Sequence, residues 1–338
     1  MKQKMNHKKR LFPAVCLLLI LTGCAGNITK NSLKEKLTPD YHTYKKVNNL
    51  EIKLSVYPPE TGSINSPVIV LLHGGALING SRFMYKPDDP ANKLFFELGA
   101  TVITVDYRLA PETKLPEIIK DIQDCFKWIY SEGKNIYQYD TDNIIVAGHS
   151  AGGYLTMMCG FCLEKPPKAL ITYYGYGDIT KDWYTKPDAF YRTKKLEDEP
   201  KWWFKNKETA CSYKGRGTGA IYLYYRQNGL WTKGVSGVDP KKNPKFFDQY
   251  EPIKNISKNY PPILMLHGDK DTDVPYEKSV DMSKELTKFG VENQLITIKN
   301  GPHGFDIKQV DTEQVKHATI KVKEFIRDIF NRKNITIP

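Results

Sequence analysis

The residues with the clearest chemical potential are Gly148-His149-Ser150-Ala151-Gly152. They fit the pattern G-x-S-x-G and follow the apolar run Asn143-Ile144-Ile145-Val146-Ala147, which predicts a buried strand. Glycines on both sides of the serine permit a sharp strand-to-helix turn that lifts one hydroxyl above the sheet. The next residue opens a helix, so its free N–H faces the reacting atom. This stretch predicts that Ser150 is a nucleophile.

A second stretch could stabilise the negative charge that develops on a carbonyl oxygen during such an attack. The apolar residues 67–72 predict a buried strand, and His73-Gly74-Gly75-Ala76 follows it directly. Small residues at a strand end leave backbone N–H groups accessible to an oxyanion. An ordinary glycine turn is the alternative interpretation. The candidate oxyanion-hole residues are Gly74, Gly75, Ala76 and Ala151.

A carboxylate is expected after another buried strand, predicted at residues 263–268. A triad needs an acid that orients its histidine and stabilises the imidazolium. Of the three aspartates that follow this strand, Asp271 is the predicted acid. Asp269 is expected to cap the turn, and Asp273 is expected to cap the helix that starts near Pro275. Each of the three could instead be a solvated loop charge.

The predicted base is His303, in the stretch Gly301-Pro302-His303-Gly304-Phe305. The strand predicted at residues 293–298 delivers this histidine on a Gly/Pro loop, where a general base can reach both the hydroxyl and the leaving group. A lone histidine is more often structural. Among the seven histidines of the chain, however, His303 follows a serine and an acid in the order Ser, Asp, His that the turn motif requires.

These motifs, together with Asp106-Tyr107-Arg108-Leu109-Ala110-Pro111-Glu112, resemble the α/β-hydrolase fold family. Within that family the chain looks like the hormone-sensitive-lipase-like esterases and, more loosely, the feruloyl and acetyl-xylan esterases. The resemblance covers roughly residues 50–178 and 262–330. It implies that the nucleophile, acid and base are Ser150, Asp271 and His303. The chain departs from the family pattern at Ala76-Leu77, where a third glycine and an aromatic residue are usual, so the resemblance leaves the acyl preference open.

Strands alternate with helices along the chain, which predicts an α/β fold with a mostly parallel sheet flanked by helices. Ligand sites in such folds lie at the carboxyl ends of the strands. At 338 residues and 40% hydrophobic content the chain has room for one large core, so residues 41–338 are expected to form one α/β-hydrolase domain. After the sixth predicted strand, residues from about 180 to 260 interrupt the alternation. They are expected to form a cap insertion that controls access to the site.

The insertion is basic and rich in aromatic residues. Residues 181–260 hold 17 Lys and Arg against 9 Asp and Glu, and 16 of the 40 aromatic residues of the chain. We expect a small aromatic core of the insertion itself to account for most of these rings. Stacking on a sugar or aryl group, and attraction of acidic substrates or anionic surfaces, are further interpretations. Nucleic acid is not an expected partner, because the leader indicates export and no binding motif is present.

The first residues predict where the protein acts. Met1–Arg10 carries five positive charges and no acid, and the apolar run Leu11–Leu21 suits the core of a signal peptide but is too short to span a bilayer. Leu21-Thr22-Gly23-Cys24 resembles the lipobox of bacterial lipoproteins. Residues 1–23 are therefore predicted to be removed, Cys24 to be lipidated and residues 24–40 to tether the domain to an extracytoplasmic membrane surface. A plain secretory signal with a chance cysteine is the alternative.

Two cysteines, Cys159 and Cys162, fall three residues apart on the helix predicted after Ser150. Residues at this spacing share a helix face, and buried cysteines behave as small apolar groups, so core packing is expected. A metal site would need two further ligands nearby, and the sequence offers no paired second motif. No metal or organic cofactor is therefore expected.

Together these features predict a lipid-anchored serine hydrolase of carboxylic esters that works through an acyl-enzyme. The expected substrates are small-molecule or polysaccharide esters of short acyl groups, such as acetyl or feruloyl. One alternative is a serine peptidase of the prolyl-oligopeptidase kind, which shares the triad but usually carries a large propeller domain. Another is a non-catalytic binding lipoprotein that keeps the fold.

Overall fold

One mixed β-sheet carries Ser150, Asp271 and His303 beyond the ends of its strands. The computed structural model describes residues 37–60, 62, 64–196, 207–211 and 218–332. Within them the strands follow the spatial order β1-β2-β4-β3-β5-β6-β7-β8. Their bounds are β1 Asp40–Val47, β2 Leu50–Tyr57, β3 Val68–Leu72, β4 Thr101–Val105, β5 Ile144–His149, β6 Ala169–Tyr173, β7 Ile263–Gly268 and β8 Asn293–Ile298.

The strand pairing confirms a mostly parallel sheet. Strand β2 pairs antiparallel with β1 and β4, whereas all pairs from β4 to β8 are parallel. The register sets Leu72 of β3 beside Gly148 of β5, and Leu266 of β7 beside Tyr173 of β6. The carboxyl ends of the parallel strands therefore meet along one edge of the sheet, which is where such folds bind ligands.

Apolar layers cover both faces of the sheet, as expected for parallel strands that are buried on two sides. Successive side chains of β3 alternate between these layers: Val68 and Val70 pack in one, Ile69 and Leu71 in the other. The first layer includes α2 (Leu115–Trp128), α4 (Ala151–Cys162) and α9 (Glu277–Lys288). The second includes α1 (Lys93–Phe96), α10 (Phe305–Lys308) and α11 (Glu313–Asn331).

Several elements differ from the boundaries that the sequence suggests. The sequence predicts two antiparallel strands over residues 44–57, but strand β1 begins earlier, at Asp40. The helix expected over residues 115–132 is α-helical only to Trp128, because its backbone widens into a π-helical turn at Ile129–Gly133. A further turn, α3 (Lys134–Tyr137), follows directly.

The interrupting segment between β6 and β7 is helical where it is described. Its helices are α5 (Asp182–Thr185), α6 (Ala189–Arg192), α7 (Thr218–Asn228) and α8 (Trp231–Ser236), followed by 3₁₀ segments at Pro244–Tyr250 and Pro252–Lys254. The buried rings of Tyr184 and Trp231 stack with centroids 3.9 Å apart, and Tyr176 packs edge-on against both. All three rings belong to the same buried layer as α2, α4 and α9, so the insertion packs onto the main core, and the expectation of a separate small aromatic core is wrong for these rings.

The cysteines of α4 lie largely in the core. Cys159 is fully buried and Cys162 is partly exposed, while Cys125 on α2 is buried and Cys211 is exposed. All four are free thiols. The burial of Cys159 fits the expected role of packing.

The predicted leader, the lipidation residue Cys24 and the tether up to residue 36 lie outside the described residues. From Leu37 onward the chain forms one compact unit. Across the described ranges, no helix combines the length and the apolar character that crossing a bilayer requires.

Candidate active site

The turn around Ser150 has the strained geometry that the motif predicts. Ser150 joins β5 to α4 with φ 56° and ψ −118°, a backbone region that residues with a side chain rarely occupy. Its N–H is held by the carbonyl oxygen of Tyr173, at 2.8 Å. The helix can approach the sheet because Gly152 lacks a side chain: a Cβ atom there would lie 1.9 Å from the carbonyl oxygen of Leu72. The turn thus presents the serine hydroxyl at the carboxyl edge of the sheet.

The structure brings Ser150, His303 and Asp271 into one hydrogen-bonded chain. The Nε2 atom of His303 lies 3.2 Å from the hydroxyl oxygen of Ser150, and its Nδ1 atom lies 2.7 Å from Oδ2 of Asp271. The three side chains follow the carboxyl ends of β5, β8 and β7. This arrangement can pass the serine proton to the imidazole while the carboxylate holds the ring in place.

Asp271 is held by more partners than the sequence indicates. Its Oδ1 atom accepts the backbone N–H groups of Asp273 and Val274, at 2.8 and 2.9 Å. Its Oδ2 atom lies 3.2 Å from Nε2 of the buried His267. Burial alone would raise the pKa of Asp271, but hydrogen bonds from His267 and His303 outweigh it and hold that pKa well below its usual range. Asp271 is therefore a fixed anion, and His267, four residues before it, is a site residue that sequence reasoning missed.

Two carboxylates act on the titration of His303. Burial alone would lower the pKa of this imidazole, but the charges of Asp273 and Asp271 outweigh the burial and raise it. Oδ2 of Asp273 lies 3.5 Å from Nε2 of His303, the nitrogen that faces Ser150. The charged form of His303 is thus stabilised from both ring nitrogens.

The expectation that Asp273 caps a helix is wrong. Helix α9 begins at Glu277 without a capping side chain, and Asp273 faces the insertion instead. Its Oδ1 atom accepts hydrogen bonds from the hydroxyl of Tyr191 at 2.8 Å, from Nη1 of Arg226 at 2.8 Å and from the hydroxyl of Tyr222. The reason is electrostatic, because a buried guanidinium needs a counter-charge.

Asp269 also accepts a backbone hydrogen bond, as expected for a residue that stabilises a turn. Its Oδ1 atom accepts the N–H of Asn300, at 2.6 Å, and so joins the loop after β7 to the loop after β8. Asp269 therefore braces the two loops that carry Asp271 and His303.

The candidate oxyanion-hole residues lie directly beside the serine turn. A Cβ atom at Gly74 would lie 2.8 Å from the carbonyl oxygen of His149 and 3.4 Å from the Cβ atom of Ser150. Gly75 and Ala76 line the same cleft as Ser150, and among the described residues no acceptor takes their N–H groups. Ala151, the remaining candidate, is buried at the start of α4. Unoccupied backbone N–H groups beside a nucleophile are the kind of donor that an oxyanion hole requires.

The backbone of this loop is strained and is held by the insertion. Ala76 and Leu77 have φ values of 57° and 62°, in the left-handed region. The indole N–H of Trp231, on α8, donates to the carbonyl oxygen of Ala76 at 3.0 Å. Ala110, in the Asp106–Glu112 stretch, donates its N–H to the carbonyl oxygen of Leu77 at 2.8 Å. Nothing in the local sequence around Trp231 signals this role.

The Asp106–Glu112 stretch braces the loop after β3. Tyr107 stacks on the ring of His73 with centroids 4.1 Å apart, and its hydroxyl donates to the carbonyl oxygen of His73 at 2.7 Å. Asp106 binds both the backbone N–H and the side chain of Arg82. Burial lowers the pKa of His73 to about 4, so this ring is neutral and structural.

A second polar cluster lies behind the serine turn and was not foreseen from the sequence. His149 lies 2.9 Å from the hydroxyl of Tyr85 through Nδ1, and 3.2 Å from Oδ2 of Asp306 through Nε2. Tyr174 donates to the other oxygen of Asp306 at 2.7 Å. Burial alone would raise the pKa of Asp306, but His149 and Tyr174 outweigh it and lower that pKa. The cluster ties the loop of His303 to the serine turn.

A cleft of about 400 Å³ opens onto these residues. Its apolar lining includes Ile78, Met84 and Ile307, and its polar lining includes Tyr174, Asp273 and Lys308. Helix α7 of the insertion contributes Gly219 and Tyr222. A larger cavity of about 600 Å³, lined by residues of α2 and the end of α4, contains none of the candidate residues.

Three solved structures are similar to this chain. A protein of unknown function from Staphylococcus aureus subsp. aureus Mu50 has 21% identity and a TM-score of 0.71, covering 86% of this chain and 99% of that one. Carboxyl esterase 2 from Tuber melanosporum has 20% identity and a TM-score of 0.64, covering 91% and 90%. Thermogutta terrifontis esterase 2, phosphoramylated by tabun, has 20% identity and a TM-score of 0.62, covering 87% and 97%. At this identity the likeness shows a shared fold.

Curated relatives are much longer proteins. A non-reducing polyketide synthase from Preussia isomera is 24% identical over 304 residues, and one from Emericella nidulans is 25% identical over 321 residues. Each match covers 78% of this chain, but the chain spans only 13% of either synthase.

The family comparison covers most of the chain and all of the site. Residues 69–307 match a family described as alpha/beta hydrolase fold. The matched range includes Ser150, Asp271 and His303. The sheet order, the strained serine turn and this match together show that the chain belongs to the alpha/beta hydrolase fold family.

Proposed function

We propose that the protein is a serine hydrolase that cleaves carboxylic esters of short acyl groups. The observation that carries the proposal is the hydrogen-bonded chain from Ser150 through His303 to Asp271. Two of the similar structures are esterases, which supports an ester as the substrate. Another structure of Thermogutta terrifontis esterase 2 is described as propionate-bound, which favours a short acyl group.

The proposed reaction has two steps. In the first, the hydroxyl oxygen of Ser150 attacks the acyl carbonyl carbon and His303 takes the hydroxyl proton at Nε2. Asp271 stabilises the imidazolium, and the N–H groups of Gly75, Ala76 and Ala151 stabilise the oxyanion. The bond to the alcohol oxygen then breaks, and His303 returns the proton to that oxygen. In the second step, water adds to the acyl-enzyme with the same base, and the acid and free Ser150 are released.

The natural substrates that we propose are acetyl or feruloyl esters on a polysaccharide. The cleft is open to solvent and combines polar and apolar side chains, which suits an alcohol half with several hydroxyl groups. Comparing acetylated xylan, feruloylated arabinan and simple triglycerides side by side tests this. Faster turnover of triglycerides than of both polysaccharides would contradict the proposed substrate class.

Ester hydrolysis itself is tested with p-nitrophenyl acetate and with an aminoacyl-p-nitroanilide. We expect turnover of the ester, loss of that turnover in Ser150→Ala and labelling of Ser150 by a fluorophosphonate. Ser131→Ala, which changes a serine on an exposed helical turn, is the matched control and should retain full activity. Anilide cleavage at a comparable rate would favour a serine peptidase. No turnover and no labelling would favour a non-catalytic binding protein.

We also propose that the mature protein is anchored through lipid on Cys24 at an extracytoplasmic membrane surface. The charged start, the short apolar run and the Leu21-Thr22-Gly23-Cys24 stretch support this. Expression in bacteria with a labelled fatty acid should label the wild type and not Cys24→Ser. Equal labelling of both forms, or recovery of unlabelled wild type in the soluble fraction, would contradict the anchor.

A further inference from the structure

The two oxygens of Asp273 lie in different surroundings. Oδ1 takes the hydrogen bonds of Tyr191, Tyr222 and Arg226. Oδ2 faces His303 and the cleft, and it accepts no hydrogen bond from any residue in the described part of the chain. The side chain is 18% exposed, so this oxygen can be reached from the cleft. Asp273 thus offers one free acceptor beside the reacting atoms.

The insertion holds this carboxylate in a fixed orientation. The side chain of Arg226 is 1% exposed, and its Nη2 atom binds Oδ2 of Asp188 at 2.6 Å while Nη1 binds Asp273. The guanidinium also packs against the ring of Tyr191, with its carbon 4.6 Å from the ring centroid. Because Oδ1 is held by three donors, Asp273 cannot rotate away from the cleft without breaking them.

The Oδ2 atom of Asp273 lies on the side of the site where the alcohol half of the ester must bind. When the ester bond breaks, the leaving oxygen must lie within hydrogen-bond distance of Nε2 of His303, which returns the proton. Oδ2 of Asp273 lies 3.5 Å from that same nitrogen. An oxygen on the carbon adjacent to the one that bears the ester oxygen therefore comes within reach of Oδ2.

We infer that Asp273 is a specificity residue that accepts a hydrogen bond from a hydroxyl group vicinal to the ester oxygen. The substrates would be monoesters of polyols or sugars in which the neighbouring hydroxyl is free. This inference rests on the proposed esterase function and narrows its substrate class. A neutral donor fits the site because Arg226 already offsets the charge of Asp273 from behind.

Two small esters that differ in one donor test the inference. 2-Hydroxyethyl acetate carries the vicinal hydroxyl, and 2-methoxyethyl acetate replaces its proton with a methyl group. A hydrogen bond to a charged acceptor corresponds to about 10- to 100-fold in kcat/KM, so we expect that preference for the hydroxyl ester. The measurements are made where kcat/KM no longer depends on pH, which separates binding from the titration of His303.

Asp273→Asn is expected to abolish the preference. The amide oxygen keeps the partners of Oδ1, so the NH2 group takes the place of Oδ2 and presents a donor. A hydroxyl and an ether oxygen can both accept from that group, so the ratio should fall to about one. Asp269→Asn, in the same loop but bonded to a backbone N–H, is the matched control and should keep the wild-type ratio.

Three results would overturn the inference. The first is a wild-type ratio of kcat/KM for the hydroxyl ester over the methoxy ester near one, and the second is a ratio that stays the same in Asp273→Asn. The third is a preference for acetylcholine that exceeds the preference for the hydroxyl ester and disappears in Asp273→Asn, because Asp273 would then bind a cation. The wild-type comparison needs no variant and stands even if Asp273→Asn does not fold. Ser150-dependent turnover of p-nitrophenyl acetate with a ratio near one would overturn only this inference. Absence of Ser150-dependent turnover on every ester would overturn the proposed function as well.

Discussion

Replacing Asp271 with asparagine tests the assignment of the acid most directly. The backbone N–H groups of Asp273 and Val274 both point at Oδ1 of Asp271. They therefore retain the amide oxygen of the new side chain at that position. The amide NH2 must then face Nδ1 of His303 and the ring of His267, where the wild type presents an acceptor.

The size of the effect follows from the tautomer that this amide imposes. An NH2 group that donates to Nδ1 of His303 leaves the ring proton on Nε2, which points at Ser150 and can no longer accept the hydroxyl proton. The same exchange in a Ser-His-Asp triad lowers kcat by about 10⁴-fold, equivalent to about 5.5 kcal/mol of transition-state stabilisation. We expect a loss of that order in Asp271→Asn.

The assay is steady-state hydrolysis of p-nitrophenyl acetate, with folding checked by circular dichroism. Asp269→Asn is the control, because it changes an aspartate of the same loop whose side chain, among the described residues, binds only the N–H of Asn300. This control should retain kcat within about threefold, because the new amide oxygen can still accept the N–H of Asn300 and keep the two loops joined.

A loss of less than about tenfold in a folded Asp271→Asn protein would refute the reasoning. So would an equal loss in the Asp269→Asn control, because the effect would then belong to the loop and not to the acid.

Three further substitutions and conditions give independent tests. The pKa of His303 is raised above the usual 6.5 and the reaction needs the neutral ring, so kcat/KM should fall as the pH drops through a value above 6.5. Asp273→Asn should move this fall to lower pH, because it removes a negative charge that raises the pKa of His303. An unchanged pH profile in the variant would contradict the role of the Asp273 charge. Trp231→Phe removes the donor to the Ala76 carbonyl and should lower kcat by about tenfold with little change in KM. A change of equal size in kcat and in KM would instead indicate a wider rearrangement of the site. Gly152→Ala places a carbon 1.9 Å from the carbonyl oxygen of Leu72 in β3. It should lower the free energy of unfolding, measured by urea titration, by about 3 kcal/mol or more. A variant as stable as the wild type would contradict the close approach of helix and strand.

Local patterns were sufficient for much of the fold. The sequence predicts β7 with the bounds that the structure has and β3 to within one residue, because a buried parallel strand is a short apolar run between turn residues. The G-x-S-x-G stretch likewise predicts a strained turn, because the geometry of this turn depends on residues that are neighbours in the chain. The chain order of Ser150, Asp271 and His303 then follows from the family pattern.

Contacts between distant segments could not be read in this way. The residues next to Asp273 in sequence predict a helix cap, whereas its partners Tyr191, Tyr222 and Arg226 lie 82, 51 and 47 residues away. Trp231 lies 155 residues from Ala76, to which it donates. No local pattern encodes such pairs.

The sequence by itself determined the alternation of strands and helices, the strand-turn-helix at Ser150 and the three residues that fit the triad pattern, because each of these depends on composition and short-range spacing. Only the tertiary structure decided which side chains surround that triad. The insertion folds back onto the carboxyl edge of the sheet and brings the buried guanidinium of Arg226 there. Because this charge must be compensated, Asp273 binds Arg226 beside the cleft and does not cap helix α9.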